Sequence, residues 1–347
     1  NLIRLGSVEE ELLDQIMEPI AGMEEPFRYR NKAQFPIGVD KEGNLIAGFY
    51  AGRTHQIIPV PNRDCVLGVP ENKVILDQIL DYMREEKISA YDEERHKGLV
   101  RHVLVRYGFT TKEIMVCLII NGDKLPCSEK LLEKLTKIPG MTSITYNINK
   151  EKTNVIMGSK VCPLWGQTYI TDYIGNVKYQ ISPLSFYQVN PVQTEILYNK
   201  AITYAGLTGK EKVIDAYCGT GTIGLIAASQ AKEVIGVELN RDAVKDAIIN
   251  AKRNNIQNEQ FYNADAGKFM VELAEQNEKV DVVFMDPPRS GSDEAFLSSV
   301  VKLAPKKVVY VSCNPETLAR DLKYLTRHGY QAVECQPCDM FPFTKHV

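Results

Sequence analysis

The sequence predicts an α/β protein, with a doubly wound parallel-sheet domain in its second half and an α+β domain rich in antiparallel sheet before it. Three observations carry this reading. After about residue 184, strand-like and helix-like segments alternate, the rhythm of a parallel sheet with helices on both faces. Between Phe27 and Pro61, short alternating runs are punctuated by Gly38, Gly43, Gly48 and Gly52, as in a β-meander. The length of 347 residues suits two domains of roughly 150 residues each.

The elements follow in chain order. Val8, Leu12, Ile16 and Ile20 recur at helical spacing behind Ser7, a candidate N-cap, and predict an amphipathic helix over 7–23. Residues 1–25 are therefore read as an N-terminal helical segment packing on the catalytic domain. Glu71–Lys87 reads as a helix, Leu99–Tyr107 and Glu113–Ile120 as a strand pair, Glu129–Lys137 as a short helix and Val177–Ile181 as a strand. Together these make 26–183 one α+β domain. In 184–347, Lys212–Ala216, Glu233–Glu238, Val280–Met285 and Lys307–Ser312 read as strands. Thr222–Ser229, Arg241–Asn254, 294–304 and 316–328 read as helices.

Charge and cysteine content bound the function. Forty-one basic and 44 acidic residues leave a net charge of −3, which disfavours a general nucleic-acid binder. The charge is unevenly spread: −6 over 1–25, +5 over 26–183 and −2 over 184–347. The middle of the chain thus permits a polyanionic partner. Eight cysteines contain only one C-x-x-C, Cys335 and Cys338, so neither a zinc site nor a disulfide scaffold is expected. Mostly reduced cysteines in a cytoplasmic protein are the expectation. No apolar run reaches the roughly 18 residues of a membrane helix, and no signal peptide opens the chain. The first residue is Asn1, and a natural start is expected upstream.

The strongest motif is Val213–Gly224, a strand feeding Gly219-Thr220-Gly221-Thr222-Ile223-Gly224, a G-x-G-x-x-G turn that opens a helix. Its glycines let the backbone turn tightly and approach a ligand closely. The next strand ends at Glu238, whose carboxylate can accept from both hydroxyls of a ribose. A nicotinamide dinucleotide and S-adenosylmethionine both fit. What reads as a third strand ends in Asp286-Pro287-Pro288-Arg289, a rigid polar corner. What reads as a fourth ends in Val311-Ser312-Cys313-Asn314-Pro315. In this topology ligands bind beyond the carboxyl ends of the strands, which puts the thiol of Cys313 where chemistry takes place.

These motifs, with Ser185–Asn190, Glu238-Leu239-Asn240, Asp286–Gly291, Tyr29-Arg30-Asn31-Lys32 and the terminal Phe341–Val347, resemble the RNA uracil-5-methyltransferase family. The resemblance covers most of the chain and is strongest after residue 180. It implies a Rossmann-like, S-adenosylmethionine-dependent methyltransferase domain behind a central RNA-contacting domain. It further implies that Cys313 is the nucleophile that attacks C6 of the uracil, with Asp286 beside the target base. Gln188, Tyr217, Gly219, Gly221, Glu238, Asp265 and Asp286 match the cofactor contacts, and Phe186 is a candidate stacking residue or a core aromatic. The family's proton-abstracting Glu would follow His346-Val347, with His346 an inferior candidate for the base. Cys65 resembles the fourth ligand of the family's iron–sulfur cluster, but too few thiolates accompany it, so no cluster and no metal is expected. The central domain looks more like the ribosomal-RNA enzymes of low-GC bacteria than the transfer-RNA ones, which implies 23S rRNA as substrate; a monomer is expected.

A base inside a helix must be extruded before its ring can be reached, so a loop uridine is the expected target. Arg28, Arg30, Lys32, Arg95, Lys97, Arg101 and Arg106 are candidate phosphate contacts, with Phe27, Tyr29 and Tyr107 as candidate stacking platforms. The alternatives are a transfer-RNA uridine enzyme, an amino-group RNA or DNA methyltransferase, a nicotinamide-dependent oxidoreductase and a methyl-dead RNA-binding module.

Overall fold

The computed structural model describes residues 1–344. The chain opens with α1 (Glu10–Ile16), then β1 (Lys32–Val39), β2 (Leu45–Tyr50), β3 (Ile57–Pro59) and α2 (Glu71–Glu85). β4 (Val100–Tyr107), β5 (Ile114–Ile120), α3 (Ser128–Leu135), β6 (Met141–Ile148) and β7 (Lys160–Gly166) follow. These strands form one sheet in the order β3-β2-β1-β4-β5-β6-β7. Every pairing is antiparallel except β5 with β6, which α3 joins as a crossover. Ile75, Leu76, Ile79 and Met83 of α2 and Leu131 and Leu135 of α3 pack on Val103, Val105, Val116 and Leu118. Strand side chains alternate between faces, so Leu104, Cys117 and Ile119 face the other way, toward Ile156 and Met157.

The second half begins with the hairpin β8 (Ile170–Ile174) and β9 (Val177–Ile181), then α4 (Pro191–Ala205), β10 (Lys212–Ala216), α5 (Thr222–Ala227), β11 (Glu233–Glu238) and α6 (Arg241–Arg253). β12 (Glu259–Asn263), α7 (Ala266–Glu275), β13 (Val282–Met285), α8 (Glu294–Leu303), β14 (Lys307–Tyr310) and α9 (Pro315–Arg327) complete it. The five strands run parallel in the order β12-β11-β10-β13-β14. Both faces are covered: Val213, Val234 and Phe284 pack with α4 and α5, while Ile214, Val237 and Met285 pack with α7 and α8. Burial on both sides is why these strands read as apolar runs.

The sequence expectation needs four corrections. The helix expected over 7–23 covers only Glu10–Ile16, with Glu9 and not Ser7 as its cap. Pro19 cannot continue the helix, and beyond it the chain is extended: Met17 and Ala21 bridge to Cys335 and Cys338, and Ile20 is exposed. β12 escaped the reading, so Asp286 follows the fourth parallel strand and Cys313 the fifth. The elements β6, β7, β8, α4 and α7 were also not expected. Finally, Ile170, Ile174, Tyr179 and Ile181 of the β8–β9 hairpin are buried in the core of the parallel sheet, so the division by core falls before β8 and not at residue 183.

Candidate active site

In an all-parallel sheet every carboxyl end lies along one rim. β10 and β13 are neighbours whose connections leave in opposite directions, so the crevice opens between them. The register aligns Ala216 with Val237 and with Met285, Glu238 with Asn263, and Met285 with Tyr310. One residue further on, Tyr217, Glu238 and Asp286 form a row across the rim, with Asp265 just beyond β12 and Cys313 beyond β14.

The Gly-rich turn shows why its residue types are needed. Tyr217 has φ +60° and Gly221 φ +82°, a region costly for residues with a Cβ. At Gly221 that cost vanishes; at Tyr217 it is a strained backbone at the switch point. A Cβ on Gly224 would lie 2.2 Å from Glu259 Oε1, so the third glycine allows α5 to close on β10 and β12. The Gly224 amide donates to Asp215 Oδ2 (2.7 Å). Glu238 Oε2 accepts from the Gly219 amide (3.0 Å) and Oε1 from the Asn240 amide (2.7 Å). Each carboxylate oxygen has two lone pairs, so acceptor capacity remains, and open space lies above Gly219.

Around this turn, Asp265 caps α7 by accepting from the Lys268 amide, and Asn263 Nδ2 donates to the carbonyls of Glu238 and Leu239. The Tyr217 hydroxyl donates to Ser292 Oγ (3.1 Å), and burial pushes it up to about 12. Gln188 Nε2 lies 3.4 Å from the buried Tyr198 hydroxyl. Burial pushes the half-buried Asp286 carboxyl up to about 7. Asp215 is likewise raised to about 7 by burial, against the donated Gly224 amide. Burial also drives Glu259 well up, with Asp215 as a neighbouring charge.

Cys313 is exposed. Its loop is fixed on both sides: Asn314 N-caps α9 by accepting from the Glu316 amide, and Asn314 Nδ2 and Thr317 Oγ1 both donate to the Arg289 carbonyl. The cysteine loop and the Asp286–Arg289 loop are thereby one unit. Phe186 is 69% exposed, which removes the core-aromatic reading. Its segment is held by Asn31 Nδ2 on the Gln188 carbonyl and by Arg106 on the carbonyls of Pro183 and Ser185.

The basic residues of the central domain divide sharply. Arg101 is buried, donates to both oxygens of Glu93 (3.1 and 3.2 Å) and stacks on Tyr91, so it is no phosphate contact. Arg106 is also buried. Arg28 is bound by Asp64 and two carbonyls. Tyr29 is buried with its hydroxyl on the Pro342 carbonyl, which excludes it as a stacking platform, and Phe27 stacks on Phe343 at 4.9 Å. Tyr107 packs edge-on to Phe109. Arg95 and Lys97 are exposed, Arg95 beside Asp92. Arg30 and Lys32 remain on the Phe186 side. Burial, with Arg106 and Arg30 nearby, pushes Lys32 down to about 8. Among the described residues no carboxylate forms an ion pair with Arg30, Lys32 or Arg106.

The sequence reading missed Asp215, Glu259, Ser292, Tyr310 and Asp321. An acid at 321 on the apolar side of the 316–328 helix was the one visible signal for the last. Lys345, His346 and Val347 lie outside the described residues, and with them the inferior base candidate His346. Among the described residues no group of three or more His, Cys, Asp or Glu could hold a metal, and no helix is long and apolar enough to cross a membrane.

Comparison with known proteins gives the context. Residues 166–347 match the family model described as tRNA (uracil-5-)-methyltransferase. An uncharacterised RNA methyltransferase of Halalkalibacterium halodurans is 51% identical over 332 residues, 95% of this chain and 72% of its own. One from Clostridium tetani is 47% identical over 347 residues, covering 100% of this chain and 74% of its own. The crystal structure of the Pyrococcus abyssi tRNA (uracil-54, C5)-methyltransferase in complex with S-adenosyl-L-homocysteine superposes with TM-score 0.83 at 29% identity, over 99% of this chain and 79% of that one. The chain belongs to the RNA uracil-5-methyltransferase family and is an RNA (uracil-5-)-methyltransferase.

Proposed function

We propose that this enzyme methylates C5 of a flipped-out uridine in 23S ribosomal RNA, with S-adenosylmethionine as methyl donor and Cys313 as nucleophile. The observation that carries the reading is the rim itself: Tyr217, Glu238, Asp265, Asp286 and Cys313 stand at or just beyond the carboxyl ends of five different parallel strands. S-adenosylmethionine fits the donor set. Glu238 keeps acceptor capacity for ribose hydroxyls beside the open space above Gly219. Gly221, Gln188, Tyr217, Asp265 and Asp286 complete its surroundings. The cofactor supplies an electrophilic methyl group on a sulfonium.

The protein's own residues make the target ring reactive. The Cys313 thiolate forms a bond to C6, and the C5=C6 electron pair moves toward O4, giving an enolate with a nucleophilic C5. Asp286, raised to about 7 by burial, keeps a proton near neutrality with which to donate to that developing oxygen. After methylation, a base takes the C5 proton, and the electron pair left at C5 re-forms the C5=C6 double bond as the C6–S bond breaks and the thiolate leaves. Phe186 offers an exposed ring to the extruded base, and Arg30 and Lys32 supply positive charge for the adjoining phosphates.

In this reading the antiparallel domain that ends before β8 contacts RNA and the part from β8 onward is catalytic, with 1–25 bound to the latter: Gln193 Nε2 donates to the carbonyls of Ala21 and Asp339. The eight free cysteines suit the cytoplasm, where the enzyme acts as a monomer. Ribosomal RNA rests on the resemblance of the central domain; transfer RNA is the second reading, favoured by the archaeal enzyme's fold. Methyl transfer from labelled S-adenosylmethionine to undermethylated ribosomal and transfer RNA, with nucleoside analysis, tests both. Label in 5-methyluridine of 23S rRNA, lost in Cys313→Ala, is expected. Label only in transfer RNA moves the substrate, and an active Cys313→Ala enzyme overturns the mechanism.

A further inference from the structure

We infer that Asp321, a buried carboxylate on α9, is the positioning residue that holds the cofactor turn, the Asp286 loop and the Cys313 loop in reacting register. This rests on the roles proposed above for Cys313 and Asp286. Asp321 is fully buried, and its contacts come from three directions. Oδ2 accepts from the Ser292 amide (2.8 Å) and from the Tyr310 hydroxyl at the end of β14 (2.8 Å). Oδ1 accepts from Arg320 Nε (2.8 Å) and Nη2 (2.7 Å).

The neighbours extend the connection to the chemistry. Arg320 Nη2 also donates to the Ser292 carbonyl (2.9 Å), so Ser292 is gripped at both its amide and its carbonyl. Ser292 Oγ receives the Tyr217 hydroxyl, which ties the cofactor turn to the same point. Gly291 closes the loop onto α9, where a Cβ would lie 2.8 Å from Asp321 Oδ2. One turn before Asp321, Thr317 and the cap Asn314 hold the Arg289 carbonyl, and Asn314 adjoins Cys313. The distance from Asp286 to Cys313 is therefore set by two clamps on one helix, and Asp321 is the charged one.

A carboxylate here does what an amide cannot. Its four lone-pair positions take four donors, and charge-assisted bonds are shorter and stiffer than neutral ones. Asp321→Asn exchanges one acceptor oxygen for a donor facing Arg320, so the loop loosens without an emptied volume. A misplacement of about 1 Å at reacting atoms costs on the order of 100-fold in rate.

The test uses the full enzyme and RNA bearing 5-fluorouridine at the target. Fluorine in place of the C5 proton blocks the elimination, so the covalent adduct accumulates and its formation can be timed. In Asp321→Asn, adduct formation and kcat are expected to fall together by about 100-fold, while KM for RNA and Kd for S-adenosylhomocysteine change less than about threefold. Tyr310→Phe, which removes one donor and no charge, is expected to lose about fivefold in the same rate and serves where Asp321→Asn folds poorly. Wild-type adduct timing in folded Asp321→Asn and Tyr310→Phe, with only the melting temperature lowered, would show Asp321 to be structural and overturn the inference. Absence of adduct in the wild-type enzyme would instead overturn the Cys313 mechanism.

Discussion

In the antiparallel sheet, Arg101 is sealed against Glu93 and Tyr91 and Arg106 against backbone carbonyls. At the rim of the parallel sheet, Asp286 is raised by burial and among the described residues no cation is set against it, and Cys313 stands exposed. The first sheet uses its charges to hold itself and its neighbours together. The second brings the Asp286 carboxyl and the Cys313 thiol to a rim that a ligand can reach. The difference follows from topology. A parallel sheet sends every strand end to one rim, whereas an antiparallel sheet sends them alternately to two, so its charged residues do not collect at one place.

The sharpest test is to remove a group from each side. Cys313→Ala should cut methyl transfer by about 10⁴-fold or more, the scale of losing a covalent nucleophile. The thiol is exposed, so the melting temperature should stay within a few degrees. Arg101→Ala should do the reverse. It leaves the partly buried Glu93 without the buried guanidinium that faces it, and breaking a buried pair costs up to about 3–5 kcal/mol, read by urea unfolding. Its methylation rate per folded molecule should match wild type. A stable Arg101→Ala enzyme with weakened RNA binding would place Arg101 in the interface after all and break the contrast.

The buried acids beneath the Gly-rich turn sharpen it further. Asp215 is raised to about 7 in the fold, above its value in the unfolded chain. Between about pH 4 and 7 the unfolded chain ionises this carboxyl while the fold keeps it protonated. Its contribution to stability is therefore complete in acid, falls as pH rises through that window and is level above about 7. A tenfold change in proton affinity is worth about 1.4 kcal/mol, so stability should fall across the window by about 4 kcal/mol at most. Asp215→Asn keeps an acceptor for the Gly224 amide and cannot ionise, so its stability should vary less with pH. Identical melting profiles of the two proteins from pH 4 to 7.5 would remove Asp215 as the cause.

The same contrast explains which parts could be read from the sequence. The carboxyl-rim residues were legible because a parallel topology converts chain order into position: Glu238, Asp286 and Cys313 needed only a strand before them. β12 was not legible, since Glu-Gln-Phe-Tyr-Asn at the sheet edge is neither apolar nor cleanly alternating. β6 was hidden because its buried face carries Ser143, Thr145 and Asn147. Asn147 is satisfied by the Gly158 and Lys160 carbonyls, partners more than ten residues away that no local pattern reveals. In the same way, the spacing of Arg28, Arg30, Lys32, Arg101 and Arg106 says nothing of which carboxylate or carbonyl each one meets. Burial and pairing decide that, and both are tertiary.

Arg30 and Lys32 carry the smallest expected effect and the most direct reading of the interface. Lys32 pairs in register with Arg106 across β1 and β4, and burial among cations holds it down to about 8. A phosphate placed there would relieve the repulsion between Lys32, Arg30 and Arg106, so RNA binding should raise the Lys32 value and take up a proton when measured near pH 8. Lys32→Ala should weaken RNA binding by about 1 kcal/mol and lower the slope of log K against log salt by about 1, uniformly across RNA sequences. Arg95→Ala, in an exposed turn beside Asp92, should leave both nearly unchanged. Equal losses from Lys32→Ala and Arg95→Ala would mean that RNA senses only the net charge of the domain, and the Phe186 side would have no claim as the phosphate contact.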